Sequence, residues 1–219
     1  MPSSLSAITF AAQDPQRLIQ FWSGLLHREV SGDALLPPED TGYRIRFVPT
    51  DQPKTVPNKG HFDLTSSSPE DQQATVARVL ELGGSHLDIG QGDVEHVVMA
   101  DPEGNELCVI EPGNNFLAGT GFIGALAGDG SEEVGRFWSA ALDWPLVWDQ
   151  DEETAIQSPH GGTKLTWGGP PVQPATDSDR VHFELPPGTD IDRLVSLGAK
   201  QIGPGLLTDP DGNQFTVLS

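Results

Sequence analysis

The chain repeats itself once at about half its length, and that duplication limits the fold more than any single residue does. Phe21-Trp22 returns as Phe137-Trp138, and His61-Phe62-Asp63-Leu64 returns as His182-Phe183-Glu184-Leu185. Asp101-Pro102-Glu103-Gly104-Asn105 returns as Asp209-Pro210-Asp211-Gly212-Asn213. The offsets of 116, 121 and 108 residues preserve the order while the intervening loops drift. This period is far longer than the roughly 20–50 residues of a solenoid repeat, so the reading is domain duplication rather than an array. We expect one domain over 1–113 and a second over 119–219, each long enough to bury a core and each enclosing its own concave site.

Composition removes whole classes of partner. Twelve Lys and Arg face 32 Asp and Glu, a formal charge of −20. Such a balance repels phosphate backbones and anionic lipid, which argues against nucleic acid and membrane surfaces and leaves a small molecule as the expected partner. A lone Cys108 permits no intrachain disulfide and fits a reducing compartment. The first residues lack a basic, then apolar, leader pattern, and no run approaches the roughly 18 apolar residues of a membrane span. The expectation is a cytoplasmic protein. A monomer is favoured over a homodimer, because the second copy can supply the packing partner within one chain.

Each half reads as strand, helix and several strands, then the same again. Asp14 and Pro15 open a helix over about 14–27, whose Leu18, Phe21, Trp22, Leu25 and Leu26 share one face. The run 43–48 alternates Tyr43, Ile45 and Phe47 with Arg44 and Arg46, as a half-buried strand does. Strands are expected at 61–65, 106–111, 163–167 and 180–185, with helices from Ser68, Ser131 and Asp190. The Asp-Pro-x-Gly-Asn segments read as turns, since Pro presets one turn position and Gly-Asn tolerates positive φ.

A doubled βαβββ plan with a His-Phe-Asp-Leu strand and an Asp-Pro-x-Gly-Asn turn resembles the glyoxalase/bleomycin resistance/dioxygenase superfamily, the vicinal oxygen chelate fold. The stretch Val48-Pro49, Pro53-Lys54-Thr55, Asn58-Lys59-Gly60-His61 and Asp63-Leu64 is similar to its bacterial glyoxalase-like branch. The resemblance implies an α+β fold of two tandem domains, with paired βαβββ units forming incomplete barrels. It also implies a small molecule held on a concave sheet face, often beside a metal bound by His and Glu on the first and last strands of each unit. Lyases, isomerases, dioxygenases, thiol transferases and drug-sequestering proteins share that fold, so the fold alone names no reaction.

Carried over residue by residue, the metal positions of the first copy fall on Ala7, Arg46, His61 and Cys108, and those of the second on Phe122 or Ile123, Thr166, His182 and Thr216. Only the histidines match. No cofactor is therefore expected, and a divalent metal is disfavoured. Arg46, His61, Cys108, Trp167, His182 and Thr216 are the expected ligand-binding residues. His61 is the candidate acid or base, with Arg46 holding an anionic group of the substrate. Cys108, within the apolar Leu107-Cys108-Val109-Ile110, reads first as a small buried hydrophobe, unless Arg46 and His61 share its cavity and favour the thiolate. Trp148 and Trp167 are the tryptophans best placed to line a pocket. The functional expectation is a protein that binds a small organic molecule without the family's metal. The alternative is a lyase, isomerase or dioxygenase using His61 as acid, base or metal ligand.

Overall fold

The computed structural model describes residues 4–38, 42–90, 92–176 and 178–219. The first unit comprises β1 (Ala7–Ala12), α1 (Pro15–Leu26), β2 (Val30–Ser31), β3 (Ala34–Leu35) and β4 (Arg44–Pro49). The second comprises β5 (Gly60–Leu64), α2 (Pro69–Glu81), β6 (Ser85–His86), β7 (Val97–Ala100) and β8 (Glu106–Val109). The third holds β9 (Ile123–Gly128), α3 (Glu132–Leu142), β10 (Leu146–Gln150), β11 (Glu153–Gln157) and β12 (Lys164–Trp167). The fourth holds β13 (Val181–Leu185), α4 (Ile191–Ser196), β14 (Lys200–Gly203), β15 (Leu206–Thr208) and β16 (Gln214–Val217). Strands β14 and β15 lie where the sequence suggested only a connection. Both are short and separated by a Gly-Pro-Gly turn, so neither carries the alternating run that marks a longer strand.

The fold is α+β with two unclosed eight-stranded sheets, as the resemblance implied. Their composition corrects the expectation that each half encloses its own site. One sheet runs β14-β15-β16-β13-β1-β4-β3-β2 and the other β10-β11-β12-β9-β5-β8-β7-β6. The first unit therefore pairs with the fourth through antiparallel β1 and β13, and the second with the third through antiparallel β5 and β9. Each sheet draws one unit from each half of the chain.

The two sheets pack through their helix-side faces, where Phe10 of β1 meets Phe62 of β5 at 5.5 Å between ring centroids and Trp22 of α1 meets Phe62 edge-on at 5.6 Å. This packing also explains why the repeated motifs travel together. Trp22 donates from Nε1 to the buried Asp101 carboxylate at 3.0 Å, and Trp138 donates likewise to Asp209 at 3.3 Å. Asp101 further accepts from the backbone N–H of Glu103 and Asn105 and from the Asn105 amide. The aspartates are turn formers, as read from sequence, and each also satisfies the one polar atom of a core tryptophan. Burial pushes both carboxyls above the usual carboxylate range against these hydrogen bonds.

Close approach of α3 to its sheet depends on Gly135. A Cβ there would lie 2.7 Å from the Thr154 Cβ and closer still to its Oγ1. The helix accepts the entropic cost of glycine for that contact. Gly135→Ala, despite its better helix propensity, is expected to lower unfolding free energy by about 1–3 kcal/mol through overpacking. Urea denaturation checks this, and an unchanged or stabilised variant would mean that α3 sits farther from β11.

Candidate functional site

The faces turned away from the helices carry the candidate residues. On a strand, alternate side chains share a face, and paired positions on neighbouring strands continue it. In the β5-containing sheet the register Trp148–Ala155–Thr166–Ala127–His61 forms one row across β10, β11, β12, β9 and β5. The next row runs Gln157–Lys164–Ala125–Asp63–Cys108–Val98, ending on β8 and β7. The floor between the polar walls is alanine, with Ala125 buried beneath Leu117 and Ala127 half-buried.

His61, Asp63 and Cys108 form one cluster on this face. The His61 Nε2 lies 3.3 Å from Asp63 Oδ1, and ligand atoms of all three residues lie within 4.8 Å of one another. His61 and Asp63 are two residues apart on β5, and Cys108 stands opposite Asp63 on β8. Burial pulls the His61 imidazole toward its neutral form. Hydrogen bonds to Asp63 and Cys108, Asp63 first, and the negative charge of Asp63 outweigh this and raise its pKa to about 10. The upward shift favours the imidazolium, a proton donor, over the neutral base. Cys108 is buried in a small apolar cluster with Val98, Ile110, Leu117 and Ala125, which fits its reading as a small hydrophobe, but its Sγ also touches the polar group.

Across the alanine floor stand Thr166 and Lys164. The Lys164 ammonium donates to the Phe116 carbonyl and lies 4.3 Å from that residue's ring centroid. Phe116 meets Trp148 edge-on at 5.9 Å, and Leu117 joins the Cys108 cluster. The connection between the two copies therefore folds over this face as a roof.

Arg46 lies elsewhere. It projects from β4 of the other sheet, in the row Ala34–Arg46–Thr9–His182. Its guanidinium binds Glu184 at 2.7 and 2.8 Å and Asp33 at 2.5 Å. Those two carboxylates, Asp33 first, hold it far above its ordinary pKa, against burial. Arg46 therefore neither shares a cavity with His61 and Cys108 nor has its charge free for a substrate anion, correcting both expectations. His182 and Thr216 share its sheet, Thr216 pairing with Glu184. His182 Nδ1 sits 3.3 Å from the Gln214 carbonyl, and Glu184, the counterpart of Asp63, is taken up by Arg46. Thr166, grouped by sequence with His182, stands instead opposite His61 across Ala127.

Trp148 borders the His61-bearing face and is exposed rather than core. Trp167 does not, because it alternates onto the helix side, where it is 6% exposed. Phe10 and Phe47 pair in one sheet where Gly128 and Trp167 pair in the other, so the indole fills core space that the glycine vacates. With Trp138 and Phe183 it borders a cavity of about 70 Å³ between the sheets. Asp63 and Lys164 were missed as site residues. The i, i+2 spacing from His61 was a readable signal for Asp63, whereas Lys164 becomes relevant only through strand order.

A glyoxalase-like domain model matches residues 7–110 and again 125–218. Among curated proteins none matches the chain by sequence. Glyoxalase I from Zea mays is similar in fold, with a TM-score of 0.66 at 14% identity, covering 98% of this chain and 92% of that one. A putative dioxygenase from Bacillus subtilis is similar at a TM-score of 0.60 and 13% identity, covering 98% and 84%. No helix among the described residues is long and apolar enough to cross a membrane. Two matched copies, the paired βαβββ units and the polar cluster on a helix-free sheet face agree, and the chain belongs to the glyoxalase-like domain family of the vicinal oxygen chelate superfamily, as a tandem member.

Proposed function

We propose that the helix-free face of the β5-containing sheet binds a small organic molecule and that His61 transfers a proton to it, as in a lyase or isomerase. The observation that carries this reading is the His61–Asp63–Cys108 cluster, set across an alanine floor from Lys164 and Thr166. Asp63 orients the imidazole and keeps it charged, so a substrate oxygen arriving over Ala125 and Ala127 meets a donor already protonated. Phe116 and Leu117 cover the Lys164 and Cys108 side of that space, while the His61 side chain keeps 33% of its surface open to an incoming ligand.

The same three side chains also fit a divalent cation. Tetrahedral N, O and S ligands sit about 3.5 Å apart around zinc, close to the His61–Asp63 separation of 3.3 Å, and three protein donors leave a position open. His61, Asp63 and Cys108 would hold such an ion, which when bound would polarise a substrate oxygen as a Lewis acid. The sequence-based expectation against a metal rested on a single matching histidine in each copy and did not count Asp63.

A small-molecule screen followed on the histidine ring signals tests the reading. Ligands are expected to shift His61 and leave His182 in place. Hits that move His182 alone would sink it.

A further inference from the structure

We propose that Lys164 is the seat for the carboxylate of a small aromatic acid, and that the Phe116 carbonyl occupies this seat until such an acid displaces it. This inference rests on the proposed function of the same face and names its ligand class. In a chain with 32 acidic residues, Lys164 is paired with no carboxylate among the described residues. Its ammonium instead holds a main-chain carbonyl and the face of the Phe116 ring, both weaker partners than a carboxylate. Burial without a compensating anion lowers its pKa.

Position makes the unmatched charge useful. Lys164 and Asp63 flank Ala125 on either side, two strand spacings or about 10 Å apart at their α-carbons. Once Leu117, which packs on Ala125, moves aside with its segment, a flat ring over Ala125 and Ala127 spans that gap, with its carboxylate on Lys164 and its far edge toward His61. Trp148, which Phe116 meets edge-on, offers aromatic surface to such a ring once the segment yields. The segment that must yield is bounded by Gly113, Gly119 and Gly121, all at positive φ, where the backbone can turn without side-chain hindrance. The pseudo-equivalent position in the other sheet is Arg44, which is exposed.

The test is calorimetric titration of benzoate and of its neutral isostere benzamide into the full chain, with His61 ring signals followed in parallel. Benzoate is expected to bind, with benzamide weaker by roughly tenfold or more because a charge-assisted bond is lost. Lys164→Met should weaken benzoate by a similar factor, and Lys164→Arg should restore it. Equal binding of benzoate and benzamide to the unmodified protein would overturn the seat without need of any variant, as would equal binding of benzoate to Lys164→Met. If benzoate fails while another small molecule shifts His61, the carboxylate seat falls and the proposed function stands. If benzoate binds through Lys164 without moving His61, the seat stands and the proposed function falls.

Discussion

Arg180→Ala is expected to lower unfolding free energy by about 3–5 kcal/mol, since it strands a buried carboxylate. Arg180 leads into β13, and its side chain is 4% exposed against 8% for its partner Glu103, 3.0 Å away. The same guanidinium donates to the carbonyls of Ala11 at 3.0 Å and Gln52 at 2.8 Å. Glu103 in turn accepts from the backbone N–H groups of Gln13 and Asp14 at the entry to α1. One side chain thus ties the fourth unit to the first unit and to the turn before β8. Removing it leaves Glu103 with two amides but no counter-ion. Lysine should rescue only in part, because an ammonium cannot reproduce a planar fork directed at three acceptors. Urea unfolding measures the loss, and a change below about 1 kcal/mol would mean the pair is hydrated rather than buried.

The largest functional effect should come from His61→Gln, which keeps much of the side chain's polarity but has no transferable proton. Turnover of an identified substrate is expected to fall by about 10²–10⁴, the usual contribution of a positioned acid or base. Asp63→Asn should act in the same direction and less severely, because the imidazole keeps Cys108 but loses the carboxylate that orients it. His182→Gln should leave turnover unchanged, since that ring belongs to the other sheet and contacts a backbone carbonyl. A His61→Gln enzyme with full activity would remove proton transfer from the account.

How much of this was legible in the sequence depends on the range of the interaction. The Phe-Trp helix, the His-Phe-Asp-Leu strand and the Asp-Pro-x-Gly-Asn turn are local patterns, and they identified the repeating unit. The hydrogen bond that couples Trp22 to Asp101 is not local, so the sequence showed two motifs where the structure has one pair. Strand order was less accessible still. Arg46 precedes His61 by 15 residues, yet they lie on different sheets, while Thr166 stands two strands from His61. No composition or spacing announces that crossing, because β5 meets β9 across the whole connection between the copies. Once it is known, the ligand positions regroup. His61 and Cys108 gain Asp63, Thr166 and Lys164, and Arg46 joins His182 and Thr216.

The most direct test of the account is the pH titration of the His61 and His182 ring nitrogens in chelator-treated protein. His61 is expected to stay imidazolium through neutral pH and to lose its proton near 10. Since that value lies above the ordinary 6.5, the proton stabilises the fold fully below about pH 6.5. Its contribution then fades as pH rises toward 10. Asp63→Asn should bring the titration down toward neutrality. A His61 that is already neutral at pH 7 in the unmodified protein would contradict the claim that Asp63 and Cys108 hold a proton donor ready on this face.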